Sequence, residues 1–336
     1  MSARKINIST DDALYQASRV NGDWDTQLLG LQGHGGARAV IQDCRDSGRL
    51  FAATGKDGML RSDDGGKTWQ DINRGITYKE MWSLAQHPKT GELYAGTGPS
   101  SVFKSSDAGE SWADAEQLRS LPTTIDWTFP RPPHVSHIRG IGLCEQDPSV
   151  ISCAIEEGWI VRSKDGGHTW ENIKNGVEFD AHSITYMPND PSVILATTGR
   201  GVFRSTDGGD SYERSEAGMD RKYMAQIAVH PKRPNVLFTA GAAVPPPMWR
   251  RPEGADSAFF RSEDQGKTWT RLGGGLPDNF KPAPRYVAGD LDDPDAVFVG
   301  TVDGSVWFTE DGGESFSQIV QGLPGSFIRH IAAVRD

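Results

Sequence analysis

The stretch SDDGGKTW at residues 62–69 decides how this chain is read, because close copies of it return five more times. They are SSDAGESW at 105–112, SKDGGHTW at 163–170, STDGGDSY at 205–212, SEDQGKTW at 262–269 and TEDGGESF at 309–316. The chemistry of the octapeptide is that of a tight turn. Its acid (Asp64, Asp107, Asp165, Asp207, Asp264 or Asp311) accepts hydrogen bonds from backbone amides a few residues on. Glycines such as Gly65 and Gly66 supply the positive φ of a hairpin. The Ser or Thr adds a local hydroxyl partner, and the closing aromatic opens the next strand and packs between neighbouring units. A calcium reading fails on spacing, since an EF-hand loop is longer and is closed by a bidentate Glu that does not follow here. Six equivalent acids point to a structural task rather than a catalytic one.

The acids are separated by 43, 58, 42, 57 and 47 residues. Each copy sits inside a longer unit of four strand-like runs. The second unit reads MWSLAQHP, ELYAGT, SVFKSS and SWADA, and the fourth reads AHSITYMP, SVILATT, GVFRST and SYERS. The sixth gives RYVAGDL, AVFVGT, SVWFTE and SFSQI. Alternation and enrichment in β-branched and aromatic residues make these runs strands, and a period in the forties is that of propeller blades. Strands are lettered A to D from the centre outward. The C-terminal FIRHIAAVRD looks like an A strand with nothing after it. The N-terminal KINIST, ALYQAS and DWDTQLL look like strands B, C and D, turning through Asn21–Gly22 with Trp24 at the aromatic position. The expectation is one all-β domain over 1–336, a seven-bladed propeller whose seventh blade is shared between the chain ends. Such closure removes open sheet edges.

On these motifs the chain resembles the BNR/Asp-box superfamily over essentially its whole length. That group includes sialidases, xyloglucanases, sortilin-type receptors and photosystem II assembly-factor propellers. The resemblance implies the fold and leaves enzyme, receptor and scaffold all open.

Composition agrees with many short strands joined by turns: 336 residues, 36% apolar, with 39 Gly and ten Trp. The net charge of −10 with scattered basic residues gives no footprint for nucleic acid or an anionic membrane surface. No apolar run has the length of a membrane helix or of a signal peptide. Cys44, Cys144 and Cys153 read as three buried thiols in a reducing, cytoplasmic setting. Cys144 and Cys153 flank one turn and could lie on neighbouring strands, but nothing requires a bridge.

In a propeller the D–A and B–C loops share one face around the channel mouth, so that face is where a site is expected. Three insertions lead there: 113–138 between D and A, 241–257 between B and C, and GGGLPDNFKPAP at 273–284. Aligning the A strands on their trailing turns places Ala39, Trp82, Arg139, His182, Ala225, Arg285 and Arg329 at one step near the mouth, with Tyr286 and His330 one residue further. Converging guanidiniums suit a carboxylate, sulfate or phosphate. The alternative is that each pairs with a nearby acid such as Glu156 or Asp180. The cluster looks like the arginine triad of sialidases. However, the FRIP-type motif is absent, no Tyr–Glu nucleophile pair can be placed, and sialidases have six blades.

The expected ligand-binding set is Arg139, Arg285, Arg329, Tyr286, Trp82 and Trp249. His137, His182, His330 and Glu156 are the expected proton-handling groups. Glu157, Asp303 and Asp57 lie in or beside the same B–C loops. His34, His134, His137, His182 and His330, near the starts of A strands, would serve a divalent metal if they converged. The leading functional expectation is a glycosidase-like hydrolase or lyase acting on an anionic small molecule, an oligosaccharide or a sugar-acid-like substrate in the mouth. The alternative is a non-catalytic binding or assembly propeller, which would present a broad patch rather than a pocket.

Overall fold

The computed structural model describes residues 4–325 and 327–335. Seven antiparallel sheets form a ring, and each is a blade. From strand A outward, blade 1 is Ala37–Asp43, Asp46–Thr54, Met59–Ser62 and Gln70–Asp71. Blade 2 is Glu80–Gln86, Leu93–Gly98, Val102–Ser105 and Ala113–Asp114. Blade 3 is Ile138–Leu143, Ile151–Ile155, Trp159–Ser163 and Glu171–Ile173, and blade 4 is Ala181–Met187, Asp190–Thr198, Gly201–Ser205 and Glu213–Arg214. In blade 5 the A strand is broken into Tyr223–Met224 and Ala228–His230. Arg233–Ala242, Ser257–Ser262 and Thr270–Leu272 follow. Blade 6 is Pro284–Gly289, Val297–Thr301, Val306–Thr309 and Ser317–Val320.

Blade 7 closes the ring as the two ends of the sequence suggest. His330–Val334 pairs antiparallel with Lys5–Ser9, with Ile331 opposite Ile8, and Leu14–Val20 and Asp23–Gly30 complete the sheet. Strand A occupies only the HIAAV of the run FIRHIAAVRD, and Ser326 lies outside the described residues. The hairpin at Asn21–Gly22 has φ of 54° and 97°, the left-handed pair a two-residue turn needs.

The core lies between blades rather than in one centre. Phe51 and Met59 of blade 1, for example, pack on Met81, Leu93, Phe103 and Trp112 of blade 2. The six Asp-boxes explain how the outer turns are held. Ser62 Oγ donates to Asp64 Oδ1 (2.7 Å) and accepts from the Gly66 amide (2.8 Å). Asp64 also accepts from the Thr68 amide (2.9 Å) and hydroxyl (2.7 Å). The same pattern recurs around Asp165 and Asp311. The closing aromatics tie blades together: Trp112 Nε1 donates to the Ile72 carbonyl of blade 1, and Trp269 Nε1 to the Ser215 carbonyl of blade 4.

Two details depart from expectation. Cys44 is exposed, not buried, because it falls in the tight A–B turn of blade 1; Cys144 and Cys153 are buried, and all three are free thiols. The D–A insertion is not irregular throughout, since it carries short 3₁₀ turns at Glu116–Ser120 and Pro122–Asp126. Among the described residues no helix is long and apolar enough to cross a membrane.

Candidate functional site

Each A strand enters the ring at the mouth face, and a recurring irregularity aims its first side chains. In blades 1, 2, 3, 4 and 6 the A–B register slips by one residue near the start of the strand. The skipped residues are Arg38, Trp82, Arg139, His182 and Arg285. A bulge leaves its extra residue out of the ladder and redirects its side chain. In blade 5 the break in strand A replaces the bulge, and in blade 7 Arg329 lies just ahead of the strand. All of these residues line a cavity of about 270 Å³ on the axis, with Tyr286, His330 and Gln226.

Blade 1 corrects the alignment made from sequence. The bulged residue is Arg38, not Ala39, although Ala39 also lines the cavity. Counting back from the trailing turn misplaces blade 1 by one residue and hides a fourth arginine. The register that separates the two positions is the pairing of Asp43 with Asp46, which matches Met187 with Asp190 in blade 4, and a single sequence does not display it.

The four guanidiniums differ in their partners. Arg139 Nη1 donates to Glu156 Oε2 at 2.8 Å, and His137 Nε2 lies 3.1 Å from the same oxygen. Arg329 Nε donates to Asp11 Oδ1 at 2.5 Å. Arg38 reaches Asp11 only at 3.8 Å, and its Nε and Nη1 are buried without hydrogen bonds. Arg285 has no ion pair among the described residues, and its Nε is a buried donor without an acceptor. Burial, then repulsion from Arg139 and Arg329, brings the Arg285 guanidinium down to about 9. Burial and repulsion from Arg329 bring Arg38 to about 10. The local-pairing alternative therefore holds for Arg139 and Arg329 and fails for Arg285.

Aromatic rings set the walls. Arg38 lies over the Trp82 indole (4.4 Å), which stacks on His137 at 3.4 Å between centroids. Gly98 makes room for that stack, because a Cβ there would sit 2.8 Å from Trp82 Nε1. Phe129, from the 113–138 insertion, meets His137 edge-on (4.9 Å). Trp249, from the 241–257 insertion, meets Tyr223 edge-on (5.4 Å), and Tyr223 lies beside His182 (4.6 Å). Trp249 thus stands behind Tyr223 rather than on the cavity wall. Sequence reasoning named neither Tyr223 nor Gln226, because the broken strand of blade 5 hides their register.

Of the expected proton-handling groups, Glu156, His137 and His182 face protein partners, whereas the Nδ1 of His330 is buried without one. Arg139 and His137 overcome the burial of Glu156 and hold its carboxyl well below the ordinary range. His137 is buried behind Trp82, and burial lowers its imidazole. His330 is buried beside Tyr286, and burial pushes it down to about 3. The His182 Nδ1 donates to the Met224 carbonyl (2.8 Å), and its Nε2 lies 3.3 Å from Asp180 without hydrogen-bond geometry. The five histidines considered for a metal do not meet. His34 pairs with Asp57 (2.8 Å), and exposed His134 bonds the Phe129 carbonyl (2.8 Å). Among the described residues no group of three or more His, Cys, Asp or Glu is arranged to hold a metal ion.

The family model for the BNR/Asp-box repeat matches residues 60–71, which include the first octapeptide. No curated protein sequence matches the chain. Among solved structures the chain is similar to an ancestral GH74 enzyme, with 17% identity over 86% of this chain and 39% of that one and a TM-score of 0.68. It is similar to the GH74 enzyme of Niastella koreensis, with 18% identity, 84% and 45% coverage and a TM-score of 0.65. It is also similar to YCF48 bound to D1 peptide, with 16% identity, 96% and 90% coverage and a TM-score of 0.56. The chain spans less than half the length of either GH74 structure. At these identities the likeness establishes the seven-bladed propeller with Asp-box repeats, and no activity comes with it.

Proposed function

We propose that this protein is a binding propeller that holds the anionic group of a small ligand at the channel mouth. The observation that supports this reading is Arg285, a guanidinium in the cavity wall with a buried donor and no carboxylate partner. An unpaired buried cation costs free energy unless something neutralises it. Among the described residues no acid lines the cavity, whereas four arginines do. A ligand anion would supply the missing charge through charge-assisted hydrogen bonds. A volume of about 270 Å³ lies just below the range of drug-sized pockets, roughly 300–1,000 Å³, so the ligand is small.

The hydrolase or lyase reading has one observation in its favour, His182 beside Asp180 at the cavity edge. Its candidate groups are poorly suited to proton transfer: Arg139 and His137 hold Glu156 as a carboxylate, His182 faces Met224 and Asp180, and burial holds the unpartnered His330 imidazole far below its ordinary value. Binding without chemistry is therefore the reading we adopt. The test is thermal melting with and without sulfate. Sulfate should raise the melting temperature of the natural protein and leave Arg285→Met unmoved. An equal rise in both, or none in either, would count against this site.

A further inference from the structure

We infer that the anion held at the mouth is doubly charged, a small phosphate monoester whose phosphoryl group sits on the ring axis. This rests on the anion-binding reading above and narrows it to one ligand class. The first argument is charge balance at contact distance. Four guanidiniums line the cavity, from blades 1, 3, 6 and 7. Two carboxylates serve them: Glu156 for Arg139, and Asp11 for Arg329, with Arg38 only at the outer limit. Since Asp180 and Glu80 act on Arg139 and Arg38 only from further off, Arg285 and Arg38, which flank Arg329 on the two neighbouring blades, are left without a carboxylate at contact distance. A monoanion would neutralise one of them. A phosphate monoester carries close to two negative charges above its second ionisation near pH 6.

The second argument is shape. The unsatisfied guanidinium donors are Nε of Arg285 and Nε and Nη1 of Arg38, and they approach from separate sectors of the ring. The two coplanar oxygens of a carboxylate suit one or two guanidiniums lying edge-on in that plane. The three terminal oxygens of a phosphoryl group point in three directions and can take donors from several blades at once. The third argument is what lies beside the arginines. Ser183, Thr185, Gln226, Tyr286 and His330 are uncharged polar residues on the same cavity wall. They can hydrogen-bond the hydroxylated body of a small ester, and they offer nothing to a second ionised group.

The test is calorimetric titration of the full chain at pH 8 with methyl phosphate, dimethyl phosphate and acetate. These probes separate a dianionic phosphoryl group from a monoanionic one and from a carboxylate. Methyl phosphate should bind at least about tenfold more tightly than either monoanion. In Arg285→Met and in Arg38→Met, each checked for folding by circular dichroism, that preference should shrink to about threefold or less. If acetate and dimethyl phosphate match methyl phosphate while Arg285→Met weakens all three, the dianion inference fails and the anion site stands. If no anion binds, or none is weakened by either variant, both fail. A preference that survives in both variants overturns the inference as well. Should Arg285→Met not fold, Arg38→Met alone decides.

Discussion

Every blade from 1 to 6 carries two irregular points, an Asp-box turn between strands C and D and a break in pairing where strand A enters the mouth. At the Asp-box the residues repeat along with the geometry, and the bonds of Asp64 reappear at Asp165 and Asp311. Where the first glycine is replaced, by Ala108 or Gln265, the backbone keeps φ of 56° and 59°, so the turn dictates to the residue. At the mouth only the geometry repeats. The bulges present Arg38, Trp82, Arg139, His182 and Arg285, five side chains on the wall of the axial cavity that include three guanidiniums, an indole and an imidazole. The difference teaches which repeated feature holds the fold and which one serves a ligand. A position needed for the fold is filled the same way in each blade. A position that faces a ligand lacking sevenfold symmetry must differ from blade to blade.

Substitutions at the two places should therefore have opposite signatures. Arg285→Met should weaken anion binding by about 1.5–3 kcal/mol, the worth of a hydrogen bond to a charged group. The free protein should melt at the same or a higher temperature, because an unpaired buried guanidinium is gone. A variant that loses stability and binding together would erase the contrast. Gly98→Ala comes next. Its Cβ would press on Trp82 and cost about 1–3 kcal/mol of stability as an overpacked site, measured by denaturant unfolding.

Acid titration separates the two places further. His330 folds neutral, pushed by burial to about 3, against 6.5 for an ordinary imidazole. Its unfolded form takes up a proton first, so the stability it carries is intact above pH 6.5. That stability drains as pH falls toward 3, by up to about 1.4 kcal/mol per pH unit. His330→Phe should flatten this slope in urea unfolding measured at pH 6 and pH 4.5. The Asp-box acids titrate later. Turn hydroxyls and amides hold Asp64, Asp107, Asp165 and Asp311 at about 2, against 3.8 for a free side chain. Their contribution is intact above 3.8 and is lost as pH falls toward 2. Asp165 is fully exposed, so Asp165→Asn should give the smallest effect of all. We expect a slight fall in melting temperature at pH 7 and no change in anion affinity. A large loss of affinity would mean that the ligand sits on the opposite face.

The octapeptides made the fold legible because each is a local device, complete within eight residues. The closing blade was legible for a related reason, since KINIST and FIRHIAAVRD each lacked a partner nearby. The mouth was legible only where the first residue of the turn after strand A could be placed correctly. Arg139, His182 and Arg285 emerged from counting residues, whereas Arg38 did not, because the count in blade 1 began one residue past Asp43, which faces Asp46 as Met187 faces Asp190 in blade 4. The pairing pattern was beyond the sequence altogether. Asp11 lies in the B–C loop of blade 7, 318 residues before Arg329, and no spacing rule connects them. Nor does any local pattern mark Arg285 as the guanidinium left without an acid. That is a property of the assembled ring.

The pairing of Lys5–Ser9 with His330–Val334 also sets a clock on biosynthesis. A ribosome adding about 5–20 residues per second needs roughly a quarter of a minute to a minute to reach the second strand after making the first. Throughout that time the inner edge of Lys5–Ser9 has unpaired amides and carbonyls, next to the apolar side chains of Ile6 and Ile8. The nascent chain is therefore a strand-exchange hazard until His330–Val334 emerges. The cell must either shield that edge or keep two unfinished copies apart.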